Sequence, residues 1–137
     1  MAGVKGGAEG GRMMEDIRIV VDRALSSTLS IPVMAEELID DEMPDEYITY
    51  YIIREVPLRY ANGKPIAWHS MVEVNFFCHN LNRKTTVPTE IANAMIAVGF
   101  SVSVRQEDVE YNTGGITRGT GLYVTSQDFI LERVDVP

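Results

Sequence analysis

The sequence is poor in cysteine, in long apolar runs and in basic residues. Its 137 residues include a single cysteine, Cys78, so no disulfide can form within the chain, and a reducing compartment is expected. No apolar run approaches the roughly 18–20 residues that a membrane-spanning helix needs. The glycine-rich residues 1–12 lack the apolar centre of a secretory signal. We therefore expect no membrane partner, a flexible segment over residues 1–12 and a single folded domain over residues 13–137.

The shortage of basic residues limits the partners. The chain has 12 Lys and Arg against 20 Asp and Glu, a net charge of −8 at pH 7. Tight nucleic-acid binding relies on neutralising phosphates with Lys and Arg, so this balance disfavours direct, high-affinity binding of DNA or RNA. Acidic residues are concentrated between Glu36 and Glu46, a stretch with no Lys or Arg. Such a run is either an ordinary solvated loop or a surface that repels polyanions.

Apolar spacing predicts two helices. Over residues 14–25 the apolar side chains recur at intervals of three and four, which places them on one side of a helix. A second helix is predicted over residues 88–98, with Thr85 and Thr86 as candidate caps before it and Gly99 ending it.

Segments rich in β-branched and aromatic residues predict the strands. They cover residues 47–56, 68–79, 100–109 and 122–134, and residues 33–39 are a candidate short strand. Asn62 and Gly63 between the first two are typical of a tight hairpin turn. In the last segment the apolar parity changes, which predicts a bulge near residues 126–128. The predicted fold is α+β: a mostly antiparallel sheet of four to five strands, two helices packed on one face, and a long β-hairpin.

The stretch EYNTGGITRGTGLYV, residues 110–124, is the most glycine-rich part of the predicted domain. A phosphate-binding loop would need a lysine after the glycines and a helix behind them, and this stretch has neither. We interpret it as a hairpin loop that becomes ordered on assembly. Candidate residues for a subunit or partner interface are Gly114, Gly115, Arg118, Gly119 and Gly121 in this loop, and Arg59 and Lys64 in the long hairpin.

No catalytic, cofactor or metal site is predicted. His69 and His79 lie on one strand, where ten residues at about 3.3 Å each would separate them by about 33 Å, so they cannot share an ion. Cys78 belongs to the apolar side of its strand and is expected to be a small buried hydrophobe. No cofactor is expected.

Taken in order, these parts resemble the tail terminator, or tail-completion, proteins of long-tailed bacteriophages. The resemblance is carried by three groups of residues in a fixed order. They are Pro44, Tyr47, Ile48 and Tyr50 opening the sheet, then Val72, Val74 and Phe76 in a later strand, then Gly99 and Phe100 after a helix. It covers roughly residues 13–134, and the hairpin around residues 58–66 is longer than the pattern requires.

The resemblance implies a non-enzymatic virion protein that forms a ring, commonly a hexamer, at the head-proximal end of the tail tube. There it would stop tube growth and contact the tail tube protein on one side and the head–tail connector or stopper protein on the other. It implies assembly in the host cytoplasm and a final place in the neck region of the virion. DNA would pass through the ring without specific binding.

In such a ring the acidic run would suit a lumen, because like charge prevents DNA from adhering. The candidates for lumen-facing residues are Glu36, Glu37, Asp40 and Asp41. Two other classes stay open: another self-assembling neck, connector or protein-binding α+β module, and a small ligand-binding domain or enzyme.

Overall fold

Five strands and two helices make up the described part of the chain. The computed structural model describes residues 15–35, 44–111 and 121–134. Its elements in chain order are α1 (Ile17–Thr28), β1 (Val33–Ala35), β2 (Tyr47–Ala61), β3 (Lys64–Cys78), α2 (Leu81–Ala97), β4 (Ser101–Tyr111) and β5 (Gly121–Val134). The strands form one sheet in the order β1-β2-β3-β5-β4, in which β1 and β2 are parallel and the other pairs antiparallel. The predicted α+β class is confirmed.

The turn between β2 and β3 determines the register of the longest strand pair. Asn62 and Gly63 have φ angles of 54° and 79°, and two consecutive positive values are what a tight two-residue hairpin requires. Ala61 therefore faces Lys64, and pairing continues to Tyr47 opposite Phe77. The predicted turn is confirmed, but both strands extend further towards it than the predicted ranges of 47–56 and 68–79.

The glycine-rich stretch connects two paired strands. β4 and β5 are antiparallel, and their pairing reaches Tyr111 opposite Gly121. The interpretation of the stretch as a hairpin connection is therefore confirmed. Residues 112–120 themselves lie outside the described part of the chain, so their predicted ordering on assembly stays a prediction.

One side of the sheet supplies the core. In β3 the alternate residues Val72, Val74, Phe76 and Cys78 are all buried, as the period of two in a strand predicts. They belong to one cluster that also includes residues of both helices and of β2 and β5. We call this side of the sheet the core face. That both helices pack on the same face of the sheet stays a prediction.

Cys78 is buried on the core face, as expected. Its exposed fraction is 1%, and burial raises the pKa of the thiol. The side chain donates to the backbone oxygen of Asn80 at 3.4 Å. It is a packed core residue in this fold.

The bulge predicted near residues 126–128 is wrong. β5 pairs with β3 without a register shift from Val134 opposite Ala67 to Tyr123 opposite Cys78. The irregularity lies on β4, between Val102 and Val104. The alternation of apolar residues breaks along β5 without a bulge, because two buried core-face positions are polar, Thr125 and Gln127.

The predicted start of the second helix is also wrong. α2 begins at Leu81, and Pro88 lies inside it. Its cap is Asn80, whose side chain accepts from the backbone N–H of Arg83 at 3.1 Å. Thr85 and Thr86, the predicted caps, instead donate their hydroxyls to the carbonyl of Asn82 within the helix. The predicted end is confirmed, since Gly99 follows with φ of 106°.

The remaining expectations hold in part. α1 occupies most of the predicted range of 14–25, and its cap is Asp16, which accepts from the backbone of Arg18 at 2.9 Å. The candidate strand over 33–39 is present as β1 up to Ala35, and the residues after it lie outside the described part. Neither helix of the described residues has the length and apolar character that a membrane crossing requires.

The cap assignment makes a direct prediction. Asn80→Ala should lower the free energy of unfolding by about 1 kcal/mol, because it leaves an N–H of the first turn of α2 without its acceptor. Thr85→Ala is the matched control and should change it by less than about 0.5 kcal/mol. Urea unfolding followed by circular dichroism measures both changes. A larger loss for Thr85→Ala than for Asn80→Ala would identify Thr85 as the cap instead.

Candidate functional site

The β2–β3 hairpin extends past the rest of the sheet. Within the described residues, β5 accompanies β3 as far as Ala67, which faces Val134. In that part of the chain residues 60–66 form a two-stranded extension beyond the pair of Arg59 with Ala67. We call residues 57–66, which include the base of this extension, the arm. Leu58 is 47% exposed and Tyr60 61% exposed. A two-stranded hairpin is marginally stable in water by itself, so the exposed apolar groups make the arm a candidate contact surface.

Irregular pairing in β2 adds to the exposed apolar surface. Ile53 and Leu58 have no partner in the ladder, because the register shifts between Ile52 and Arg54 and again between Pro57 and Arg59. Both unpaired side chains are large and apolar, and both are exposed. Bulges of this kind redirect side chains at sheet edges and near functional sites.

The arm is positively charged in an acidic protein. Arg59 and Lys64 are exposed, and no Asp or Glu occurs between Val56 and Val72. Among the described residues, neither cation has an acidic partner within ion-pair distance. Because successive pairs of the ladder point to opposite sides, Arg59 and Lys64 lie on one side of the arm and Tyr60 lies on the other.

The side of the sheet opposite the core face forms a second candidate surface, which we call the second face. Its central row runs across four strands, from Tyr51 through Glu73 and Asp128 to Val104, since residues paired in antiparallel strands share a face. Tyr51 is 38% exposed and Val104 45% exposed, with Glu73 and Asp128 half-buried between them. This row combines apolar ends with an acidic centre.

Two carboxylates are neighbours in that row. Burial and then the charge of Glu73 raise the pKa of Asp128. The hydroxyl of Tyr51 donates to Oε1 of Glu73 at 3.3 Å. No basic side chain in the described part of the chain forms an ion pair with either carboxylate. The second face therefore has a local excess of negative charge.

The next row of the second face is held by side-chain hydrogen bonds. Asn75 donates through Nδ2 to Thr49 Oγ1 at 3.5 Å, and Ser126 donates to Asn75 Oδ1 at 2.5 Å. Beyond them Tyr47 and Phe77 stack with their ring centroids 4.5 Å apart. These contacts cross three strands and hold the row together, and Thr49 and Asn75 within it are buried.

Only part of the predicted interface lies in the described residues. Arg59 and Lys64 are there and are exposed, and the backbone of Gly121 pairs with Tyr111. The other interface and lumen candidates lie outside the described residues: Gly114, Gly115, Arg118, Gly119, Glu36, Glu37, Asp40 and Asp41.

The pair Glu73 and Asp128 was not predicted from sequence. The strand pattern assigns Glu73 to the less apolar side of β3, which is correct. Its proximity to Asp128 depends on β5 lying beside β3 in a fixed register, and no local pattern in the sequence gives the strand order.

The two histidines of the chain are separated along β3. His69 faces Glu132, with 3.3 Å between Nδ1 and Oε2, and His79 follows the opposite end of β3. The two histidines are therefore far apart, as predicted. Among the residues the structure describes, no three His, Cys, Asp or Glu side chains are grouped so as to hold a metal ion.

No protein-family model matches the chain, and no curated protein matches it at a significant level.

The acidic pair predicts a pH-dependent stability. Because the pKa of Asp128 is raised on folding, the folded state binds more protons than the unfolded state in the pH range between the two values, and stability falls as pH rises through that range. Asp128→Asn should therefore raise the melting temperature at pH 7, and the gain should shrink as pH falls through the same range. Glu73→Gln should give a smaller gain with the same pH dependence. A gain from Asp128→Asn that is equal at every pH would assign the effect to packing instead.

Proposed function

We propose that this chain is a structural protein of a long-tailed phage virion, which forms a ring at the head-proximal end of the tail tube. The ring ends growth of the tube and joins the tail to the head–tail connector. The observation that carries the self-assembling part is the arm, where Leu58, Arg59, Tyr60 and Lys64 are all exposed. The resemblance to tail terminator proteins supplies the kind of assembly.

The residues behind the resemblance occupy fold-determining positions, which supports the proposal at the level of the domain. Ile48 and Phe76 are buried in the core. Gly99 has φ of 106°, and a Cβ added there would lie 3.2 Å from Leu131 Cδ1, so a glycine suits both the backbone and the packing. These residues act in folding, while the exposed surfaces would act in assembly.

The proposed assembly requires contacts between different surfaces of neighbouring copies. A contact of this heterologous type repeats around an axis and closes into a ring when the rotation allows. The arm and the second face are two such surfaces on one chain. Hexameric order is part of the proposal and comes from the resemblance.

The partners follow from the same proposal. One side of the ring contacts the tail tube protein and the other the connector or stopper protein, in the neck of the virion, after assembly in the host cytoplasm. DNA passes through the lumen without specific binding, in keeping with the net charge of −8. Glu36, Glu37, Asp40 and Asp41 are proposed to face the lumen. The protein has no enzymatic activity and no cofactor in this proposal.

The arm fits a second candidate equally well, namely another self-assembling neck or connector protein. The two differ in the partner that the ring caps. Only a terminator binds the end of a finished tail tube and stops its extension.

The mass of the purified chain tests the proposal. Native mass spectrometry with negative-stain imaging should give closed rings of about six copies, with more ring at higher concentration. Added to growing tail tubes, such rings should bind one end and stop elongation. A compact monomer at every concentration would contradict ring formation, and rings that leave tube growth unchanged would favour the connector alternative.

A further inference from the structure

We propose that the arm of one copy docks across the second face of a neighbouring copy, with Arg59 and Lys64 against the carboxylates of Glu73 and Asp128. This inference rests on the proposed self-assembly and names the contact that produces it. The partner of each surface is thus a second copy of this chain.

Charge complementarity is the first support. Three other acidic side chains on the strands have a partner of their own: Glu55 is paired with Arg133, Glu107 with Lys84, and Glu132 contacts His69. Glu73 and Asp128 have none in the described part of the chain, and the same holds for Arg59 and Lys64 on the arm. The charges without an ion-pair partner on the two surfaces are therefore opposite in sign. Pairs of opposite charge across an interface determine its register and specificity.

The apolar groups match as well. Leu58 is exposed next to Arg59 in the chain, and Tyr51 and Val104 are exposed at the two ends of the acidic row. An apolar contact around a charged centre excludes water from the ion pairs and so strengthens them. Each surface would thus place charged and apolar side chains against those of the other.

The dimensions of the two surfaces are compatible. Beyond the pair of Arg59 with Ala67, the β3 side of the arm has three strand residues, 64–66, or about 10 Å at ~3.3 Å per residue. Glu73 and Asp128 lie on the neighbouring strands β3 and β5, which are about 4.8 Å apart. The arm is therefore long enough to cover both carboxylates.

The arm cannot reach the second face of its own chain. It is the direct continuation of β2 and β3, paired up to Ala61 opposite Lys64. Lys64 lies nine positions from Glu73 along the same strand, which is about 30 Å at ~3.3 Å per residue. Only another copy can bring the cations to the carboxylates.

The free edge of β2 is a poorer place for a partner. β1 pairs with β2 only from Ile48 to Tyr50, but the edge beyond contains Pro57, three register shifts and the cation Arg54. Proline, bulges and positive charge are the features by which edge strands resist pairing with another strand. The side chains of the arm are therefore a better interface than its backbone edge.

Charge reversal tests the contact. The arm variant is Arg59→Glu with Lys64→Glu, the face variant is Glu73→Lys with Asp128→Asn, and the combined variant has all four. Each of the first two should weaken self-association by about tenfold or more, a loss of about 1.4 kcal/mol, in analytical ultracentrifugation. The combined variant should recover most of the loss, because it restores opposite charge across the contact.

Matched controls separate this contact from a general charge effect. Arg18→Glu and Asp22→Lys change the charge in the same directions on the exposed side of α1, and both should associate like the parent. Circular dichroism checks that each variant is folded, and Glu73→Gln with Asp128→Asn replaces the face variant if the lysine disrupts the sheet. That milder variant should also weaken association.

The outcomes distinguish this inference from the proposed function. If the parent forms rings and the arm and face variants form them equally well, the arm-to-face contact is wrong while the ring proposal stands. If the combined variant recovers self-association but the assembly is a closed dimer, the contact is supported and the ring is contradicted. Failure of the combined variant to recover, or equal losses in the controls, would overturn the contact, and a parent that is monomeric at every concentration would overturn both.

Discussion

The central constraint in this structure is the pairing of β3 on both sides, with β2 along its whole length and with β5 from Ala67 onward. A strand held in this way must send alternate side chains to opposite faces of the sheet. Val72, Val74 and Phe76 therefore enter the core together, and Glu73 and Asn75 are committed to the second face. The core and the candidate interaction surface are two consequences of one register.

The unequal lengths of the strands produce the arm. β2 and β3 continue to the turn at Asn62 and Gly63, past the last pair that β3 forms with the described residues of β5. The exposed side chains there gain little from their own sheet, and in our proposal they contact a neighbouring copy.

The sequence predicts the strands, the hairpin turn and the core face of β3, because each depends on neighbours in the chain. Two errors arise where polar residues have structural roles. Gln127 is buried and donates to the carbonyl of Pro88 at 3.1 Å, which interrupts the apolar pattern of β5, and Asn80 begins α2 ahead of a proline. The acidic pair of Glu73 and Asp128 could not be predicted, since strand order results from long-range packing that leaves no local pattern. Arg59 and Lys64 stay predicted interface residues, and what the structure adds is that both are exposed.

Hydrogen exchange of the backbone amides tests most directly whether the arm lacks a partner in the single chain and gains one on assembly. In a dilute monomer, the backbone N–H groups of residues 60–66, where all but Pro65 have one, should exchange fast while those of the β3 core positions stay protected, because a two-stranded hairpin opens easily. In the assembled state the arm amides should become protected, with no change in the β3 core. Equal protection of the arm in both states would contradict the account, since the arm would then be stable without a neighbouring copy.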